Sequence, residues 1–168
     1  MIYKTRNDFG KLFQEHFKTG LGAEIGVQNG FNAQQIWKHW HGEIYLVDWW
    51  DKPEELRQCM INNIHKPYRV LVGDSIKMAE SIEGKSLDWV YIDAGHTYQE
   101  VKADFEAWYI KVRKGGIVSG HDYGDNDCIG VKEFIDEYMQ LHPKVKMNFT
   151  TDDFWEGREY QSWWFVKP

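Results

Sequence analysis

The stretch AEIGVQNG (23–30) carries the reading of the fold. A short apolar run ends in a turn with glycines at 26 and 30, and FNAQQIWKHW (31–40) follows at once as a helix that groups Ile36, Trp37 and Trp40. A strand that bends through glycines into a helix is the opening unit of an open α/β sheet. The glycines permit the sharp turn and let a ligand approach without a Cβ in the way. Glycines alone are weak evidence, because a strand–helix junction needs them for structural reasons as often as for function.

Outward from that turn the same alternation repeats. EIYLVD (43–48), RVLVGD (69–74), LDWVYIDA (87–94) and GIVSGHD (116–122) read as strands. Between them, 53–65, 75–82 and 97–113 read as helices, the last with Val101, Phe105, Trp108 and Val112 on one buried stripe and a Gly115–Gly116 stop after it. Residues 5–19 form an amphipathic helix upstream, with Phe9, Leu12, Phe13 and Phe17 on one side. A helix over 129–141 is followed by two strands, 145–150 and 162–166, with no helix between them. Strands alternating with helices predict a mostly parallel sheet covered on both faces, closed at its end by an antiparallel hairpin. No composition break or repeat divides the chain, so residues 1–168 read as one domain, with 1–20 an N-terminal helix packed on it.

The acidic residues select the ligand. In the motif E-x-G-x-x-x-G, Glu24 precedes Gly26, Val27 and Gly30. Asp48 and Trp49 end the second strand, Gly73, Asp74 and Ser75 the third, and Asp93 the fourth. Asp48 suits a ribose diol, and Asp74 with Ser75 an adenine amino group. A ring of carboxylates around one point suits a ligand with positive charge and no phosphate. S-adenosylmethionine has that character. A dinucleotide would call for the G-x-G-x-x-G turn, which is absent, as is a P-loop. A nucleotide-dependent Rossmann enzyme is the weaker alternative, and a cofactor-binding module without catalysis is a third.

From AEIGVQNG through LVDWW and VLVGDS to YIDAGHTY and KGGIVSGHDY, the chain resembles class I S-adenosylmethionine-dependent methyltransferases over roughly residues 20 to 140. Within that class it is most similar to macrocin-type small-molecule and sugar O-methyltransferases. The resemblance implies a Rossmann-like three-layer sandwich with a seven-stranded sheet in the order 3-2-1-4-5-7-6, strand 7 antiparallel. It also implies O-methylation of a hydroxylated small molecule or a sugar or glycan precursor.

At the reaction end, Asp93-Ala-Gly-His96-Thr-Tyr98 leaves the fourth strand and His121-Asp122-Tyr123 the fifth. Two readings stand. Asp93, His121 and Asp122 would hold Mg²⁺ or another divalent cation that activates an acceptor hydroxyl. Alternatively, His96 or His121 acts as a metal-free general base beside Asp93. The resemblance implies a metal, but those enzymes carry Asp-Asp or Asp-Asn where this chain has His121-Asp122, and an imidazole weakens a hard-cation site. The structural alternatives are a buried, hydrogen-bonded His121 and a His96 that caps the next helix. Asp104 reads as a solvated or structural charge. Asp125, Asn126 and Asp127 offer an extra ligand or simply a turn. Phe154, Trp155, Tyr160, Trp163 and Trp164 read as core packing or a pocket wall.

The remaining expectations come from composition. A net charge of −6 without a basic block argues against nucleic-acid and membrane partners. The polar start MIYKTRNDFGKLF is unlike a signal peptide, and Cys59 and Cys128 read as free thiols of a cytoplasmic protein. The short chain has no lid of its own, which suggests self-association over the acceptor pocket.

Overall fold

The computed structural model describes residues 2–124, 127–155 and 158–168. After a 3₁₀ turn at Arg6–Asp8 come α1 (Phe9–Phe17), β1 (Leu21–Ile25), α2 (Phe31–Ile36), β2 (Glu43–Asp48), α3 (Pro53–Asn62) and β3 (Tyr68–Val72). The chain continues through α4 (Ser75–Glu80), β4 (Leu87–Ile92), α5 (Tyr98–Tyr109), β5 (Val112–Tyr123) and α6 (Ile129–Leu141). It ends with β6 (Asn148–Phe149), a small separate ribbon of β7 (Phe154–Trp155) and β8 (Arg158–Glu159), and β9 (Gln161–Val166).

The main sheet has seven strands in the order β3-β2-β1-β4-β5-β9-β6. Strands β3, β2, β1, β4 and β5 pair in parallel, and β9 runs antiparallel to both β5 and β6. This is the expected 3-2-1-4-5-7-6 order once the ribbon is set aside. The order reverses between β1 and β4, which places the crevice for a ligand beyond the carboxyl ends of those two strands.

Side-chain alternation along each strand divides the core into two faces. Ala23, Ile25, Val90, Ile92 and Val118 pack beneath α4, α5 and α6, with Val101, Phe105, Trp108 and Phe134 from the helices. Ile44, Leu46, Trp89, Tyr91 and Ile117 point the other way, against Phe9, Leu12 and Phe13 of α1 and Ala33 and Ile36 of α2. Phe13 stacks flat on Trp89, with centroids 4.0 Å apart. Helix α1 is thus a true layer of the fold, held by aromatic burial.

Several element ends differ from the sequence reading. The N-terminal helix is shorter than 5–19, because Asp8 turns back to accept hydrogen bonds from the Lys4 and Thr5 amides. Helix α5 stops at Tyr109, and Val112 already belongs to β5. The Gly115–Gly116 pair is not a helix stop but a bulge within that strand. Leu87 pairs with Val112 and Trp89 with Ile117, so residues 113–116 loop out, with Gly115 at φ 74°. The β7–β8 ribbon was not anticipated; four residues of weak pattern are too few to show a period.

Gly10 of α1 lies against α2, and a Cβ there would fall 2.1 Å from the Ile36 carbonyl oxygen. Gly10→Ala therefore wedges the two helices apart and is expected to cost about 1–3 kcal/mol. Urea melts of the purified variant check this; an unchanged midpoint would show that α1 is not seated by this contact.

Candidate active site

The β1–α2 turn shows how the sequence builds the candidate cofactor end. Gly26 has φ 82°, and a Cβ there would meet the Asp93 carbonyl oxygen at 1.9 Å, so only glycine fits against the end of β4. Asp48 fixes the turn from the neighbouring strand. Its Oδ2 accepts the Val27 and Gln28 amides, each at 2.7 Å, and its Oδ1 accepts the Trp50 amide at 2.9 Å. Gly30, also at positive φ, lies behind the turn rather than on the cleft wall, and a Cβ there would meet Asn63 and Cys59. Its role is packing.

An open cleft of about 1410 Å³ runs over the carboxyl ends of the strands. Apart from Gly30, every candidate site residue lies on its wall: Glu24, Gly26, Val27, Asp48, Trp49, Gly73, Asp74, Ser75, Asp93, His96, His121 and Asp122. Trp49 is 63% exposed there, an unusual state for a tryptophan and one that leaves its ring available for stacking. Asp74 caps α4 through the Lys77 amide, and the Ser75 hydroxyl donates to Asp104. Asp104 is therefore not a solvated charge. It is buried against Ser75, and burial raises its pKa.

Glu24 is the most unusual group in the cleft. It is 1% exposed, Oε1 accepts from the Asn32 amide at 3.0 Å, and Oε2 has no partner among the described residues. Burial pushes its pKa up to about 8, against the opposing pull of Asn32 and Arg6. A buried carboxylate oxygen without a donor fits a ligand that brings its own cationic N–H group. The ammonium of S-adenosylmethionine is such a group.

At the opposite end Asp122 joins two imidazoles. His121 Nδ1 lies 2.8 Å from its Oδ1 and His96 Nε2 lies 2.9 Å from its Oδ2. Burial opposes the Asp122 charge, but the hydrogen bonds from the two histidines outweigh it and hold the carboxyl below its usual range. The hydrogen bond to Asp122 in turn raises the pKa of His96. Asp122 sits at φ 62°, in the left-handed region that Asp and Asn enter more readily than other non-glycine residues. His121 is buried and hydrogen-bonded, with its ring parallel to Tyr160. His96 does not cap α5; Thr97 does, with Glu100 completing a capping box.

The sequence reading missed Arg6. Its guanidinium enters the reaction end from the 3₁₀ turn, with Nη2 donating to Asp93 Oδ2 at 2.5 Å and Nε to Asn32 Oδ1 at 3.3 Å. Nη1 lies 3.5 Å from His121 Nδ1. Its backbone amide donates to Asp153, and Lys4 accepts the Thr151 and Asp152 amides, so the two segments strap together beside the cleft. A lone arginine in a polar N-terminal run carries no motif, so no sequence signal pointed to it.

Asp93, His121 and Asp122 do lie close enough to share an ion. The donor set nonetheless fits a hard divalent cation poorly. Each Asp122 oxygen is taken by an imidazole, an Arg6 N–H takes one oxygen of Asp93, and the third candidate ligand is a nitrogen. Asp125 and Asn126, considered as extra ligands, lie outside the described residues, as do the side chains of Phe154 and Trp155. Tyr160 reaches the cleft, whereas Trp163 and Trp164 pack in the core.

Comparison with known proteins agrees with this architecture. A family model described as a methyltransferase domain matches residues 23–123, which takes in every candidate cofactor residue and ends just past Asp122. The cofactor-bound Rv0187 from MTB is 17% identical, with a TM-score of 0.77 over 99% of this chain and 82% of that one. The O-methyltransferase from Bacillus cereus in complex with SAH is 18% identical, with a TM-score of 0.73 over 99% of this chain and 83% of that one. At such identities the likeness is one of fold. An uncharacterized protein, y4gI, from Sinorhizobium fredii is 31% identical over 71 residues, or 42% of this chain, and the chain spans only 8% of that relative's length. No helix among the described residues is long and apolar enough to cross a membrane.

Proposed function

We propose, from the premise that the chain belongs to the methyltransferase-domain family, that it is a class I S-adenosylmethionine-dependent methyltransferase that methylates a hydroxyl group of a small molecule or sugar precursor without a metal. The observation that carries this reading is the His96–Asp122–His121 array at the end of the cleft away from Glu24. An imidazole fixed by a carboxylate on one nitrogen is set to take a proton with the other, and the carboxylate stabilises the imidazolium that forms. His96 is the accessible member, with its side chain 45% exposed, and we assign it as the base. His121 and Asp122 orient it, and Asp93 fixes Arg6 beside them.

The acidic wall supports the acceptor class. Asp93, Asp122, Asp152 and Asp153 line this end, and such a surface repels a phosphodiester backbone while offering hydrogen-bond acceptors to a polyhydroxylated molecule. At the other end Glu24 receives the ammonium, Asp48 and Trp49 the ribose and adenine, and Gly73 to Ser75 close the adenine slot. When bound, S-adenosylmethionine supplies the electrophilic methyl group. The chain's own work is to hold the donor and to remove the hydroxyl proton.

Following SAH formation from S-adenosylmethionine over a panel of sugar and phenol acceptors, with and without chelator, tests the proposal. Turnover on a hydroxylated acceptor that survives chelation is expected; turnover that chelator abolishes would overturn the metal-free mechanism. Because the partnership with Asp122 raises the His96 pKa, the acid limb of kcat/KM should lie above the usual 6.5, activity rising with pH as His96 loses its proton.

Trp49 carries a further expectation. Trp49→Ala removes the exposed ring at the end of β2 and should weaken SAH binding by up to about tenfold, the scale of one aromatic stacking contact. Calorimetry measures this, and an unchanged affinity would place the adenine elsewhere.

A further inference from the structure

Among the described residues that line the cleft, Arg6 is the one lysine or arginine, and it faces a wall of carboxylates. It lies at the very point where Asp93, His121 and Asp122 converge closely enough to share an ion. We infer that Arg6 is the resident cation of the reaction end: a guanidinium carried on the N-terminal turn fills the place at which the acidic cluster would otherwise recruit a divalent metal. This inference rests on the methyltransferase reading and adds to it the device that makes a metal unnecessary.

Three features support the assignment. The first is position. Arg6 Nη2 touches Asp93 at 2.5 Å, and Nη1 is 3.5 Å from the same His121 nitrogen that contacts Asp122 at 2.8 Å. A metal bound by the three residues would have to displace these contacts. The second is anchoring. The Arg6 amide is tied to Asp153, Nε to Asn32, and the guanidinium lies 5.8 Å from the Tyr91 ring centroid. A side chain held at backbone, Nε and ring is placed, and is not sampling the solvent. The third is charge. Burial works against the cation, but the charge of Asp93 and its hydrogen bond to the guanidinium oppose it, and an arginine stays protonated at any working pH.

Arginine can do here what a metal does in part. It neutralises Asp93 and leaves N–H groups of the five-donor fork over, which can hold an acceptor oxygen close to the histidine array. It cannot strip a ligand of its hydration shell or exchange with bulk ions. Activity should therefore be insensitive to the supply of divalent cations.

Mn²⁺, followed by the electron paramagnetic resonance of the free aquo ion, is the direct probe, applied to the full chain and to Arg6→Gln and Arg6→Lys. SAH affinity of each protein is measured alongside. The wild type and Arg6→Lys should leave Mn²⁺ free, because both keep a cation against Asp93. Arg6→Gln should take up Mn²⁺ at least about tenfold more tightly than wild type, because it leaves Asp93 without a countercharge. Adding Asp93→Asn to Arg6→Gln should abolish that uptake. The inference is overturned if the wild type binds Mn²⁺ as tightly as Arg6→Gln, if Arg6→Gln gains no affinity while still binding SAH, or if Arg6→Lys behaves like Arg6→Gln. Should Arg6→Gln fail to bind SAH through misfolding, wild type and Arg6→Lys still decide, since Mn²⁺ uptake by either that Asp93→Asn abolishes refutes the inference. Failure of the wild type to bind SAH would instead count against the cofactor assignment.

Discussion

Asp122→Asn should lower methyl transfer by on the order of 10²–10⁴-fold, the usual contribution of general acid–base catalysis, with SAH affinity nearly unchanged. The substitution is chosen for what it leaves alone. Asparagine adopts left-handed backbone as readily as aspartate, so the φ of 62° is no obstacle, and the side chains are equal in size. Only the charge and one acceptor oxygen are lost. The carboxylate now faces two imidazoles, at 2.8 Å and 2.9 Å. An amide keeps one acceptor and presents an N–H₂ group to the other ring, which must then change tautomer or move away. The pKa of His96 should fall toward that of a free histidine, because its hydrogen bond to a charged partner is what raises it. Single-turnover kinetics, calorimetry with SAH and a histidine titration by NMR together make the test. Undiminished turnover would remove the histidine array from the mechanism.

The second large effect is a pH linkage at Glu24. Its folded-state pKa of about 8 lies well above the 4.5 of an exposed glutamate, so between these values the folded protein holds a proton that the unfolded chain has released. The stability tied to this group is fully present below about 4.5, declines as pH rises, and is lost once pH passes about 8; the amount is of the order of a few kcal/mol. Glu24→Gln carries no such loss, so its thermal midpoint should fall less than that of the wild type between neutral and alkaline pH. Cofactor binding has the opposite dependence. A ligand ammonium beside Oε2 favours the ionised carboxylate, so SAH binding near neutral pH should release up to about one proton and tighten by up to tenfold per pH unit until Glu24 ionises unaided. Calorimetry in buffers of differing ionisation enthalpy reads the proton directly. A binding enthalpy independent of buffer would place the ammonium away from Glu24.

The two ends of the cleft differed in how far the sequence exposed them. The Glu24 end was legible as a cluster because its residues sit at or beside strand ends, where hydrophobic periodicity stops and a turn must begin. Asp48, Asp74 and Asp93 each follow an apolar run and Glu24 interrupts one just before its turn, and such runs are the most dependable sequence signal. What sequence could not convey was state: burial and an unpaired oxygen make Glu24 a proton-holding group, and three backbone amides make Asp48 a brace for the turn. At the reaction end, His96, His121 and Asp122 were legible as a set but not in their pairing, which depends on the neighbouring ends of β4 and β5. Arg6 was invisible, because its place in the cleft comes from a contact with a residue 87 positions away and no local pattern records that. Strand β5 misled for a related reason. Its bulge at 113–116 resembles a helix stop until the register with β4 is known.

The strap between residues 4–6 and 151–153 also bears on how the molecule assembles. The brace from Asp48 to the Val27 amide closes a loop of 21 residues, whereas the bond from the Arg6 amide to Asp153 closes one of 147. Closure entropy grows only logarithmically, so the longer loop costs only about 1–2 kcal/mol more. Timing is affected more than stability. A chain synthesised from its N-terminus presents Glu24, Asp48, Asp74 and Asp93 long before Asp153, and contacts of wide sequence separation form late. The proposed donor half of the cleft is therefore written early in the chain. The placing of Arg6 beside Asp93 waits for the first and last segments to meet, so on the proposed function the protein gains the means to hold its methyl donor before its reaction end is complete.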